Sequence, residues 1–139
     1  MEISLPSISE QHRLIIEMAT EEAIATLRDN LQAPTINKPL SINEAQYSRS
    51  HLLREREGWD APDPDIVRAY FEQFQLAFPE YATDMALATV LGLMGQGRSR
   101  RIREFKSGER KVPYTLWRRF LVMTGRAPQE IIKVMGFLG

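Results

Sequence analysis

The chain has no cysteine and only two histidines among its 139 residues. Without cysteine there is no disulfide bond, thiolate zinc site or cysteine nucleophile, and such a composition suits the reducing cytoplasm, where we expect the protein. His12 and His51 have no partner at metal-ligand spacing, so the sequence predicts neither a metal site nor a cofactor. It also lacks a Gly-x-Ser-x-Gly element and paired catalytic acids, and we expect no enzyme.

Long apolar runs are missing as well. No stretch approaches the roughly 18 uninterrupted apolar residues of a membrane span. The first residues show no basic segment followed by an apolar one, so no signal peptide and no membrane are expected. Apolar residues make up 43% and charged residues 26%, which is typical of an ordinary globular domain.

The chain has no net charge, but its charges are strongly segregated. Between Gly97 and Arg126 the net charge is +8, and the remainder of the chain carries −8. A solvated charged surface would explain a random run of bases. So dense a cluster around a helix instead favours a face that binds a polyanion such as nucleic acid. Arg118 and Arg119, within this window, are consistent with either interpretation.

Alternating apolar and polar residues, the pattern of strands, are also absent, and we predict an all-α fold. A first helix is predicted from Ser9 to Leu31, with Ser7 and Glu10 as a capping box. A linker with two prolines follows, so residues 1–40 are interpreted as a helical extension and 41–139 as a helical domain. The extension either mediates dimerisation or partner binding, or packs on its own domain.

Turn and capping residues divide the second part of the chain into further helices. Ser41 and Glu44 predict a helix that ends at Gly58, and Asp63 with Pro64 predicts the start of the next. The remaining predicted helices start near Thr83, at Arg98, at Pro113 and at Pro128.

The stretch from residue 83 to 124 has the order of a helix-turn-helix unit. An apolar helix is followed by a glycine-rich turn and then by a short helix with an arginine-dense outer face. Ile102 and Phe105, three residues apart, would anchor the back of that short helix. Arginine suits the major groove because its planar guanidinium can donate two hydrogen bonds to guanine.

These residues resemble the λ-repressor-like, or Xre-type, helix-turn-helix family over roughly residues 83–125. The resemblance rests on Leu87-Ala88, Leu91-Gly92, the Ile102 and Phe105 pair, and Ser107-Gly108-Glu109-Arg110. It does not cover residues 1–81, and the turn before Arg98 is about four residues longer than is typical of the family.

The resemblance implies a sequence-specific protein that binds double-stranded DNA as a homodimer and regulates transcription. The implied base-contacting residues are Ser99, Arg100, Arg103 and Glu104. The implied phosphate-contacting residues are Arg98, Arg101, Lys106, Arg110, Lys111 and Tyr114. An alternative is an adaptor or inhibitor on the same scaffold, whose basic face docks an acidic protein partner.

Overall fold

The computed structural model describes residues 3–138. Throughout this range the regular elements are helices and single 3₁₀ turns, without strands, which confirms the all-α prediction. The α-helices are α1 (Ile8–Asn30), α2 (Pro64–Ala77), α3 (Asp84–Val90), α4 (Arg98–Ser107) and α5 (Tyr114–Met123). None of these helices is both long enough and apolar enough to cross a membrane.

The chain forms two compact units. One contains residues 3–36 together with 132–138, and the other is Asn37–Ile131. The sequence predicts a division at residue 40, with the C-terminal segment in the second part. The structure instead groups that segment with α1.

The first unit is built on α1, which begins with the predicted capping box. The Ser7 hydroxyl accepts a hydrogen bond from the Glu10 backbone N–H at 3.1 Å, and the Glu10 carboxylate accepts one from the Ser7 N–H at 3.0 Å. These bonds satisfy two of the backbone donors that a helix start leaves free. No residue of the 23-residue helix is buried.

The helix predicted from Pro128 is wrong, because residues 128–138 adopt no regular structure. Three of these residues, Ile131, Ile132 and Val134, are β-branched and disfavour a helix, and Gly136 disfavours it more. The segment is also too short to hold a helix without tertiary support.

The second unit packs α2 to α5 around one core, to which each of the four helices contributes buried side chains. Trp117, Phe120 and Leu121 of α5 are fully buried against Phe71 of α2 and Leu87 of α3. Each helix is apolar at three- and four-residue spacing, so each buries one face. As predicted, Asp63 caps the start of α2 by accepting a hydrogen bond from the Asp65 N–H at 2.8 Å.

The helix predicted from Ser41 to Glu57 is also wrong. That stretch forms three separate 3₁₀ turns, at Glu44–Gln46, Ser50–Leu52 and Glu55–Glu57, and Asn43 rather than Ser41 caps the first. The sequence lacks the apolar stripe that would hold a continuous helix against a core. Its few apolar side chains instead contact the core of the second unit one by one.

Candidate nucleic-acid interface

Backbone hydrogen bonds define both ends of α3. Thr83 caps its start by accepting a bond from the Ala86 N–H at 3.1 Å. At its end the Gly92 N–H bonds the Thr89 carbonyl and the Leu93 N–H bonds the Ala88 carbonyl, each at 3.0 Å. This is a Schellman ending, in which the residue after the cap has a positive φ. Gly92, at φ +86°, meets that requirement without steric cost.

The fourth helix begins at Arg98, as predicted, and its apolar side is anchored. Ile102 is 0% and Phe105 is 2% exposed, both within the core of the second unit. Side chains two residues before Ile102 and two residues before Phe105 project from the opposite side of an α-helix. These are Arg100 and Arg103, and both are exposed. Ser99 and Glu104 are half-buried beside them.

An acid, Glu104, lies at the edge of this outward side. One Glu104 carboxylate oxygen is 3.5 Å from Nε of Arg100, and the other accepts a hydrogen bond from Nε of Arg110 at 2.9 Å. Both arginines are largely exposed, whereas the carboxylate is mostly shielded. Exposed ion pairs of this kind contribute on the order of 0–1 kcal/mol, so an anion can displace them.

Three other arginines bond backbone carbonyls at the end of α3 and in the turn that joins it to α4. Arg98 donates to the Gly95 carbonyl at 2.7 Å, and Arg101 donates to the Met94 carbonyl at 3.3 Å. Arg119, from α5, donates to the Val90 carbonyl at 3.1 Å. The carbonyls at a helix C-terminus lack partners within the helix and attract cations. The arginines therefore hold the long turn in place, a role that the sequence did not predict.

Lys106 joins α4 to the helices behind it. Its ammonium group is 2.8 Å from the Asp84 carboxylate at the start of α3, and both side chains are about a quarter exposed or less. Its backbone carbonyl accepts a hydrogen bond from Arg68 of α2 at 2.7 Å. A phosphate contact by Lys106, as implied by the family resemblance, would have to compete with Asp84.

Tyr114 and Lys111 differ in how free they are to bind a phosphate. The Tyr114 hydroxyl donates to Glu130, and its ring packs edge-on against Trp59 with ring centres 5.1 Å apart. Burial raises the pKa of Tyr114, and the bond to Glu130 raises it further. Lys111, in contrast, is exposed and makes no ion pair with any residue in 3–138.

Two further bases of the stretch between Gly97 and Arg126 contact groups of the core or beside it. Arg118 is buried, donates to the Pro128 carbonyl at 2.7 Å, and lies 3.7 Å from the Glu130 carboxylate. The interpretation of Arg118 as part of a solvated face is therefore wrong. Arg126 lies over the Tyr70 ring at 3.9 Å. Arg118 and Arg126 therefore do not add free positive charge to the surface.

The cations that remain on the surface near α4 are fewer than the sequence suggests. Of the bases between Gly97 and Arg126, the exposed ones are Arg100, Arg103, Arg110, Lys111 and Arg119. Of these, Arg103 projects from the middle of α4 without an ion pair to any residue in 3–138. The same range contains no cluster of three His, Asp or Glu side chains placed to hold a metal ion.

Comparison with known proteins gives no relative for this chain, since no family model, curated protein or solved structure matches it.

Proposed function

We propose that this protein is a sequence-specific DNA-binding protein, most simply a transcriptional regulator, that places α4 in the major groove of double-stranded DNA. The observation that carries the proposal is the contrast between the two sides of α4. Its back is anchored by Ile102 and Phe105, and its front presents Arg100 and Arg103 to solvent. A rigid helix with outward arginines is the arrangement that reads guanine edges.

The contacts around α4 distinguish residues proposed to read bases from residues proposed to contact phosphates and from those that hold the turn. Arg100 and Arg103 are proposed to read bases, together with Ser99 and Glu104 on the flanks of the same face. Lys111 and Arg110, in the loop after α4, are proposed to contact phosphates, which fixes orientation without reading sequence. Arg98 and Arg101 contribute mainly by holding the turn through its carbonyls.

The test begins with selection of bound duplexes from a random DNA library by the full chain. The enriched sequence is then used to compare Arg103→Ala and Arg100→Ala with Arg56→Ala. Arg56 is an exposed arginine of a 3₁₀ turn outside the basic stretch between Gly97 and Arg126. Each α4 variant should lose about 1–3 kcal/mol on the selected site and relax its preference at one base pair. The Arg56→Ala protein should bind like the parent.

Binding that is equal in parent and α4 variants, or that does not weaken with salt, would overturn the proposal. Purification of the full chain also separates the two functions considered for this scaffold. Bound nucleic acid supports the proposal, whereas a stoichiometric acidic protein that protects Arg100 and Arg103 would replace it with a protein-docking role.

A further inference from the structure

We infer that the first unit is a homodimer interface, in which the apolar stripe of α1 and the C-terminal segment 132–138 pack against the same surface of a second copy. The inference goes beyond the proposed function, because the interface lies on α1 and the C-terminal segment and can be tested without DNA.

The stripe follows from the spacing of apolar residues along α1. Ile16, Ile24, Leu27 and Leu31 recur at helical spacing and share one side of the helix. They remain 42%, 37%, 40% and 82% exposed. A helix with an apolar stripe normally buries it, and in this unit no residue of α1 is buried.

The C-terminal segment lies against this side of α1 without covering it. Phe137 lies 4.9 Å from the Arg13 guanidinium and lines a groove of about 320 Å³ together with Ile16 and Thr20. Arg13, Glu17 and Glu21 also line the groove. Ile132, Met135 and Leu138, spaced three apart, are at least 90% exposed. The unit therefore presents exposed apolar side chains on both the helix and the segment.

The size of that surface matches what a stable dimer needs. Burying a whole Leu, Ile or Met side chain removes roughly 60–120 Å² of apolar surface from water. The exposed parts of the stripe and of the segment then amount to on the order of 600 Å² per chain. A standard interface buries about 800 Å² per partner, of which about 65% is apolar in homodimers. A second copy can thus bury the exposed apolar surface of the first.

Helix stability also requires a partner. A helix gains most of its stability in proteins by packing its apolar face, and isolated helices are marginal in water. Since no residue of α1 is buried in the single chain, α1 lacks that support. A second copy supplies it in equal measure to both chains, as an isologous twofold interface does.

Analytical ultracentrifugation of the full chain, without DNA, tests the inference. The 16.0 kDa chain should sediment as a dimer at micromolar concentration. Met135→Glu should raise the dissociation constant at least 100-fold. Because Met135 is fully exposed, its replacement removes no contact within the single chain. Ala25→Glu adds the same charge to α1 on the side away from the stripe and should leave the dimer intact.

Far-UV circular dichroism, which reports the helix content that includes α1, provides the folding control for each variant, and fluorescence of Trp59 and Trp117 checks the second unit. A parent chain that is monomeric at 100-fold higher concentration would overturn the inference. Dissociation by Ala25→Glu but not by Met135→Glu would overturn the assigned surface. A monomeric parent that still selects a DNA sequence would refute the dimer alone, and a dimer that binds no DNA would refute the proposed function alone.

Discussion

The indole N–H of Trp117 donates a buried hydrogen bond to Nδ1 of His51 at 3.1 Å. The second tryptophan of the chain, Trp59, donates its own indole N–H to the His51 backbone carbonyl at 3.0 Å. An indole can only donate, so Nδ1 must be the unprotonated acceptor and His51 carries its proton on Nε2. The bond joins α5 to a 3₁₀ turn 66 residues earlier, and it requires a neutral histidine.

The first prediction concerns stability at acidic pH. Burial is the main cause that lowers the pKa of His51 to about 4, from 6.5 for an ordinary histidine. The unfolded chain therefore binds the proton more tightly, and stability present above pH 6.5 is lost as the pH falls towards 4. At pH 5 the loss should be about 2 kcal/mol relative to pH 7.5, measured by urea unfolding of the second unit.

Two variants identify the responsible histidine. His51→Gln should lower stability at pH 7.5, because the Trp117 bond is disturbed, and should remove most of the loss between pH 7.5 and 5. His12→Gln changes an exposed histidine of α1 and should retain the loss in full. The same pH dependence in the parent and the His51→Gln protein would contradict the assignment.

The second prediction concerns Gly108, which ends α4 with φ +84°. A Cβ at this position would lie 2.8 Å from Cγ of Pro64, the first residue of α2. Gly108→Ala should therefore lower the free energy of unfolding by about 1–2 kcal/mol because of the left-handed backbone, and by a further 1–3 kcal/mol because of the clash.

Gly95→Ala is the matched control for the clash. Gly95 has a similar φ of +92°, but nothing lies within 4 Å of its Cβ position. Its replacement by alanine should lower the free energy of unfolding only by the effect of the left-handed backbone, about 1–2 kcal/mol. Equal unfolding free energies for the two variants would show that α2 moves away from α4 without cost.

Local sequence signals predicted the helices that have both a cap and an apolar stripe. The Ser7 capping box, Asp63 before Pro64, and Thr83 each mark a helix start that the structure confirms. The stretch after Ser41 has a capping pattern but no stripe, and it forms only 3₁₀ turns. A cap alone thus does not determine a helix, because the burial of a continuous face supplies most of the stability.

The burial of Ile102 and Phe105 was predictable for the same reason, since spacing alone predicts which side of α4 turns inward. The bonding partner of each cation, in contrast, was not predictable. Lys106 pairs with Asp84, 22 positions earlier in the chain, and Arg119 bonds the carbonyl of Val90, the last residue of α3, 29 positions earlier. Those partners are brought together only by the packing of α3, α4 and α5, so the sequence overstated the free positive charge.

The third prediction separates a free lysine from a paired one. Lys111→Ala should weaken binding to all duplexes alike and reduce the slope of log affinity against log salt by about 0.9, the share of one phosphate contact. Lys106→Ala should change that slope less and should lower the unfolding free energy by about 1 kcal/mol, because it breaks the partly buried pair with Asp84. Fluorescence anisotropy and urea unfolding measure the two effects. A larger salt effect for Lys106→Ala than for Lys111→Ala would show that the Asp84 pair opens on DNA.

The last prediction concerns Glu104, whose carboxylate contacts Arg100 and Arg110 on the outward side of α4. Glu104→Gln removes a negative charge from that side and releases both arginines from their ion pairs. Binding to nonspecific duplex should then tighten several-fold at low salt, since one more cation can face the phosphates.

Glu109→Gln removes the same charge from an exposed acid that pairs with no base among residues 3–138, so it is the matched control. It should tighten nonspecific binding by less than Glu104→Gln does. The two variants should change the affinity for the selected site in opposite directions. A Glu104 that accepts a bond from cytosine loses about 1–3 kcal/mol there when neutralised, whereas neutralising Glu109 can only strengthen attraction to the backbone. If both variants gain affinity equally on specific and nonspecific duplexes, Glu104 does not read bases, and the base-reading set is Ser99, Arg100 and Arg103.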